Sequence, residues 1–152
     1  GFGGYVVDEG KGLNMEISKY IADLIPNNKI KFALGTGTPL EIANLYEMGW
    51  DIFDCTLPTR DGRHKRLYTF TQEPKSILDL KKPETYKFVH IDKEIYRRDE
   101  NPISEFCDCH TCKNFTKAYL HHLFNIEDTL AYRLATIHNL RTYTKLIEVL
   151  SC

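Results

Sequence analysis

Three cysteines fall within six residues, Cys107-Asp108-Cys109-His110-Thr111-Cys112. Cys-x-Cys-x-x-Cys places three thiolates on one tight turn, and a tetrahedral zinc ion takes four nitrogen or sulfur ligands. Three come from this knuckle and a more distant segment supplies the fourth. His138, 26 residues beyond Cys112, is the leading candidate, since it falls on the inward stripe of a helical pattern. His121 and His122 compete because they are nearer in sequence, and His110 should point away if its neighbours point in. A closed four-ligand site is structural, with no open position for chemistry. The chain has five cysteines. An odd count with tight clustering speaks for metal thiolates in a reducing cytoplasm and against a disulfide framework.

The second chemical segment is Phe53-Asp54-Cys55-Thr56-Leu57-Pro58-Thr59-Arg60. Asp54 closes an apolar stretch and precedes a Pro-containing turn. A carboxylate at the C-terminal end of a barrel strand is where catalytic residues sit, and an Asp that merely caps the following turn is the plain alternative. Arg60, Arg63, His64, Lys65 and Arg66 follow closely, a local basic patch suited to a phosphate-bearing substrate.

These residues need elements to position them. Leu13 to Ile25 has helical apolar spacing, and Pro26-Asn27-Asn28 ends it. Lys31 to Leu34 reads as a short strand running into Gly35-Thr36-Gly37. Thr38 is a predicted N-cap, with Pro39 at N1, Glu41 at N3 and Gly49 ending the helix. Trp50 to Cys55 reads as a further strand. Strands alternating with helices at this spacing imply βα units and a parallel sheet. Gly1 to Val7 reads as the end of an earlier strand, and three such strands cannot stand alone, so an open part of a (β/α)8 barrel fits better than a complete doubly wound sheet.

Beyond Thr56 the pattern changes. Short β-like runs at 66–70 and 86–91 precede the knuckle. A helix is predicted over 114–124, with Phe115, Ala118, Tyr119 and Leu123 on one face. A long final helix runs to Leu150, with Leu130, Leu134, Ile137, Leu140 or Arg141, and Tyr143, Leu146 and Ile147 keeping a 3.6-residue period. The domains are then 1–56, the last βα units of a barrel, and 57–152, a zinc-binding subdomain with a long C-terminal helix. The chain is 42% hydrophobic and 27% charged with a net charge of −1, so any nucleic-acid contact must come from a local patch. No apolar run is long enough to span a bilayer. The opening Gly1-Phe2-Gly3-Gly4 reads as the middle of a fold, which is expected of a fragment or a split half.

The Asp54 segment, the knuckle and His138-Asn139-Leu140 together resemble the tRNA-guanine transglycosylase (queuine tRNA-ribosyltransferase) family. Gly3-Gly4-Tyr5-Val6-Val7-Asp8-Glu9 is similar to that family's Gly-Gly-Leu-Ala-Val-Gly-Glu segment, and Leu34-Gly35-Thr36-Gly37-Thr38-Pro39 to its Met-Gly-Val-Gly-x-Pro loop. Ala118-Tyr119-Leu120-His121-His122 also fits, and the gap to His138 resembles the bacterial and eukaryotic type. The resemblance implies the C-terminal part of a TIM barrel and an enzyme that exchanges wobble guanine in tRNA for a 7-deazaguanine, preQ1 or queuine. Asp54 matches the nucleophile, which would attack ribose C1′ and form a covalent intermediate. Gly4, Tyr5 and Leu34 would line the base pocket, with Glu9 nearby. Gly35, Thr36, Gly37, Thr38, Pro39, Leu40 and Glu41, with Thr59, Arg60, Asp61, Gly62 and Arg63, would contact the anticodon loop. One structural Zn2+ would sit on Cys107, Cys109, Cys112 and His138.

The expected partners are tRNA, the deazaguanine base, the missing N-terminal part of the barrel in cis or trans, and a second subunit, identical or related. No membrane partner is expected. Tyr5-Val6-Val7-Asp8 makes a bulkier pocket edge than the family pattern, Thr38 replaces a Lys, and about fifteen extra residues lie around 74–98. The polar residues that read the base and move protons belong to the N-terminal part of the barrel, so no general base is named. A non-catalytic subunit of the same fold supporting an active partner is the runner-up. A relative that acts on DNA or at another tRNA position is a third reading.

Overall fold

A computed structural model describes residues 1–3, 7, 8, 12–82 and 84–151, and the chain divides into two units, Gly1–Thr56 and Leu57–Cys152. It is an α/β chain. In the first unit, β1 (Val7–Asp8) pairs antiparallel with β2 (Gly12–Leu13). Helix α1 (Met15–Leu24) starts where Asn14 Oδ1 accepts the Ile17 N–H at 3.0 Å. Strand β3 (Phe32–Ala33) follows, then α2 (Pro39–Glu47) and β4 (Ile52–Phe53). The β3–β4 pair is parallel, Phe32 opposite Ile52 and Ala33 opposite Phe53, and Phe2 bridges to Ala33 in parallel on the other side. This is the βα alternation the sequence predicts, with shorter strands.

Helix α2 begins in a full capping box. Thr38 Oγ1 accepts the Glu41 N–H at 3.3 Å, and Glu41 Oε2 accepts the Thr38 N–H at 2.6 Å. Pro39 has no N–H to satisfy, so two of the three orphan donors at this helix start are thereby paired. Met48 is the C-cap, and Gly49 follows it at φ +92°, the left-handed turn that glycine adopts without cost. Leu13, Ala22, Ala33, Leu45 and the fully buried Trp50 form the core of this unit, and the Trp50 indole donates to the Ser18 carbonyl at 3.3 Å.

The second unit opens on α3 (Leu57–Arg63), where a Pro-containing turn was expected. Pro58 is compatible with a helix here because first-turn N–H groups have no intrahelical partner to lose. Lys65, at φ 64°, turns the chain into β5 (Arg66–Phe70). After the short α4 (Ile77–Leu80) comes β6 (Tyr86–His90), antiparallel to β5 with Arg66 opposite His90 and Tyr68 opposite Phe88. A 3-10 turn at Glu94–Tyr96 leads towards the knuckle.

Three helices complete the unit: α5 (His110–Asn114), α6 (Lys117–Asn125) and α7 (Thr129–Leu150). The single helix predicted over 114–124 is interrupted, because Phe115 is extended and Thr116 caps α6 by accepting the Tyr119 N–H at 3.1 Å. The buried face of α6 is Leu120, His121, Leu123 and Phe124, and Tyr119 is exposed. On α7 the buried stripe includes the expected Leu134, His138, Tyr143 and Leu146 but not Leu140 and Ile147. Ala131, Leu134, Ala135, His138, Asn139, Thr142, Tyr143 and Leu146 face in, while Leu140 and Ile147 are exposed. Small and polar residues occupy this face because a hairpin and a helix approach it closely. A Cβ on Gly62 would lie 3.2 Å from the Thr136 backbone nitrogen, so only glycine lets α3 sit this near α7.

Candidate functional site

Cys107, Cys109, Cys112 and His138 converge. Their ligand atoms all lie within 4.8 Å of one another, and the group could hold a metal ion. Cys109 is the N-cap of α5, and its sulfur accepts the Cys112 N–H at 3.3 Å, which folds the two thiols onto one side of the turn. His138 Nδ1 lies 3.2 Å from the Cys112 sulfur and 3.6 Å from that of Cys109. A tetrahedral ion with zinc's bond lengths sets its nitrogen and sulfur ligands about 3.5 Å apart, so the donor set fits such an ion.

The supporting contacts are built in from β5 and α7. His138 is fully buried, and its Nε2 lies 2.6 Å from the Tyr68 carbonyl. Since a carbonyl only accepts, Nε2 carries the proton and Nδ1 presents its lone pair to the thiols. Thr111 Oγ1 donates to the Leu134 carbonyl at 2.8 Å. Arg141 Nε and Nη2 donate to Asp108 at 2.6 and 3.1 Å, and the same guanidinium reaches Glu148. Lys145 Nζ donates to the Phe106 carbonyl at 2.8 Å.

The electrostatics show what the cluster lacks. Hydrogen bonds from Cys107 and Cys112 hold the Cys109 thiol far below its usual range, while Cys107 and Cys109 push Cys112 far above it. One thiolate forms easily and opposes the next. Burial lowers the pKa of His138, but hydrogen bonding to Cys107 and Cys109 outweighs it and raises the value to about 9. A bound cation relieves the repulsion and displaces these protons.

His121 and His122 do not join the cluster. His121 is buried, with Nδ1 2.8 Å from the Ile91 carbonyl and Nε2 2.8 Å from Asn125 Nδ2. His110 turns to Asn114, as expected. Asn139, which sequence reasoning passed over, is fully buried beside His138. Its Oδ1 accepts the Tyr68 N–H at 3.1 Å, and its Nδ2 donates to the Pro58 and Arg66 carbonyls at 3.0 Å each. One amide therefore ties α7 to both α3 and β5. The only signal available was its place next to His138 on the inward turn.

In the first unit Asp54 follows β4 directly, and it is exposed. Its Oδ1 accepts the Gly35 N–H at 2.8 Å. Gly35 has φ +74° and open space where a Cβ would be, so the turn after β3 presents its amide to the end of β4. Leu34 is exposed beside it and lies against Gly3, where a Cβ would come within 3.1 Å of Leu34 Cβ. Thr36, Gly37 and Pro39 are buried, and Leu40 is half-buried. Thr38 and Glu41 are joined in the α2 cap. Gly4, Tyr5 and Glu9 lie outside the described residues.

In the second unit, Arg60 and Arg63 are exposed on α3 and Thr59 is half-buried. Two residues expected to face the anticodon loop turn inward instead. Asp61 is buried, accepting from the Tyr68 hydroxyl at 2.5 Å and from Arg66 Nη2 at 2.7 Å. Gly62 is at the α3–α7 contact. Helical spacing explains the reversal, since Asp61 and Gly62 lie on the face of α3 opposite Arg60 and Arg63.

Comparison with known proteins fits these observations. The family model for queuine tRNA-ribosyltransferase matches residues 1–150. The chain is 40% identical over 145 residues to the queuine tRNA-ribosyltransferase of Lawsonia intracellularis, covering 95% of this chain and 35% of that protein. It is 40% identical over 146 residues to that of Dictyoglomus turgidum and 38% over 146 residues to that of Aquifex aeolicus, covering 96% of this chain each time and 34% and 35% of those proteins. It thus spans about a third of the length of these relatives. Among the described residues no helix is long and apolar enough to cross a membrane. The chain belongs to the queuine tRNA-ribosyltransferase family.

Proposed function

We propose that this chain serves tRNA-guanine transglycosylation, with Asp54 as nucleophile and one structural zinc ion on Cys107, Cys109, Cys112 and His138, in the cytoplasm. The exposed Asp54 carboxylate, held at the end of β4 by the Gly35 N–H, carries the reading. With Oδ1 bound to Gly35, Oδ2 is the oxygen left to attack ribose C1′. The C1′–Oδ2 bond forms as the C1′–N9 bond to guanine breaks, and the departing electron pair goes to the guanine. The departing guanine takes up a proton from solvent, the incoming 7-deazaguanine loses its N9 proton to solvent as N9 bonds to C1′, and the Asp54 carboxylate is expelled, so the enzyme returns unchanged. A carboxylate nucleophile divides one difficult displacement into two easier ones.

Arg60 and Arg63 supply charge to the phosphates of the anticodon loop, with Gly35, Thr38 and Thr59 along the same RNA and Leu34 as one wall of the base pocket. The zinc ion, when bound, neutralises the thiolates and fixes the knuckle to α7. The parallel β3–β4 pair and the Phe2–Ala33 bridge beside it would belong to the last βα units of a TIM barrel. Exposed Leu140 and Ile147 on α7 support a subunit contact, with an identical or a related chain. The remaining barrel strands, which the relatives' extra length can supply, complete the pocket. Labelled guanine exchange into tRNA tests this. Exchange is expected only when the remaining barrel is present, in cis or as a second chain. Undiminished exchange by Asp54→Asn in that complete enzyme contradicts the assignment.

A further inference from the structure

On one face of the β5–β6 hairpin, Arg66, Phe88 and Tyr86 form a row. The guanidinium carbon of Arg66 lies 4.6 Å from the centre of the Phe88 ring. Tyr68 meets the same ring edge-on at 4.9 Å, and Tyr86 meets it edge-on at 5.8 Å. Phe88 is nevertheless 37% exposed, while Tyr68 beneath it is fully buried. A lone exposed phenylalanine is ordinary. This one is clamped by two tyrosines and a cation, so its orientation is set before anything binds.

Charge says what would bind. Arg66 is steered by Asp61 at 2.7 Å, and Arg60 Nε lies 3.9 Å from the other oxygen of that carboxylate. The one acidic group in this chain of contacts is buried, while Arg60, Arg63, His64 and His90 reach solvent. Arg60 and Arg63 thus stay exposed on α3, the helix whose Asp61 holds Arg66 against the Phe88 ring. Aromatic rings beside arginines on a sheet are how unpaired nucleotides are held, the base stacking and the cations meeting its phosphates.

We propose that Arg66, Tyr86 and Phe88 form a stacking platform for an unpaired base of the substrate RNA, beyond the nucleotide that undergoes exchange. The inference rests on the transglycosylase reading, which places Arg60 and Arg63 on the same RNA. It assigns the hairpin a role in affinity and none in the chemical step.

The test is binding of an anticodon stem-loop RNA to the chain, followed by fluorescence anisotropy, for the native protein, Phe88→Ala and Phe88→Trp. Phe88→Ala should weaken binding about 5- to 100-fold. Phe88→Trp should bind as the native protein does, with its indole emission quenched by the RNA. Native-like binding by Phe88→Ala, or absence of stem-loop binding by the native protein, overturns the platform, while the transglycosylase reading stands or falls on guanine exchange by the complete enzyme. If Phe88→Ala instead abolishes self-association at unchanged RNA affinity, the face is a protein contact and the RNA assignment is wrong.

Discussion

Asp54 and the thiol–imidazole cluster are held in opposite ways. Asp54 follows a strand of two residues and is exposed, and among the described residues its Oδ1 accepts the Gly35 N–H. His138 is fully buried and oriented by the Tyr68 carbonyl, while Thr111 binds α7, Asn139 binds α3 and β5, and Arg141 and Lys145 bind the stretch 106–108. A nucleophile must leave an oxygen unengaged and reachable, so its surroundings contribute little to stability. A structural ligand set has no such requirement, and every additional contact lowers the energy of one geometry. Substitutions of similar size should therefore differ greatly in effect between the two sites.

The largest effect is expected at the ligands. His138→Ala or Cys112→Ser should reduce metal affinity by more than the 10- to 100-fold that loss of a supporting partner costs. It should also leave residues 57–152 without a cooperative thermal transition, because metal binding and folding are one equilibrium in small sites. Metal content and calorimetry check this. A folded, metal-free variant melting like the native protein would remove the structural role.

Asn139→Leu should come next, at about 3 kcal/mol or more, since it strands the Tyr68 N–H and the carbonyls of Pro58 and Arg66 in the interior. Denaturant unfolding measures this directly. Gly62→Val should cost about 1–3 kcal/mol, because backbone on both sides of the α3–α7 contact must move.

A smaller, pH-dependent term lies at Asp99. Burial works against its charge, but hydrogen bonds from Lys117 Nζ at 2.7 Å and from Asn101 prevail and hold its carboxyl below the usual range. The folded pKa is depressed, so the contribution is complete above the unfolded value of about 4 and is lost as pH falls through the folded one. Asp99→Asn should therefore lower the melting temperature at pH 7 and cease to differ from the native protein in strong acid. Asp54→Asn should do least, within about 0.5 kcal/mol, because the amide oxygen can still accept from Gly35.

Much of this was legible in the sequence. Cys-x-Cys-x-x-Cys is local, so the cysteine spacing alone fixes the turn, and Thr38-Pro39-x-Glu41 names its own cap. The βα alternation of residues 31–55 follows from short apolar runs separated by a capped helix. What the sequence hid depends on distant partners. The 3.6-residue period of α7 and much of its inward arc were visible, but not where that arc ended, because Leu140 and Ile147 are as apolar as the buried Leu134 and Leu146. Asp61 looked like its charged neighbours until Tyr68 and Arg66 were brought beside it. Asn139 carries no polarity pattern that separates a buried tie from a surface amide. Pro58 suggested a turn, since proline fits a turn and the first turn of a helix equally well.

The decisive experiment joins these residues to the remaining barrel of a relative, incubates the enzyme with tRNA, and separates the products on a denaturing gel. The native protein should give a protein–tRNA adduct that survives denaturation, and Asp54→Asn should give none while keeping the native melting temperature and metal content. An adduct of equal yield from Asp54→Asn would place the nucleophile elsewhere and contradict the account.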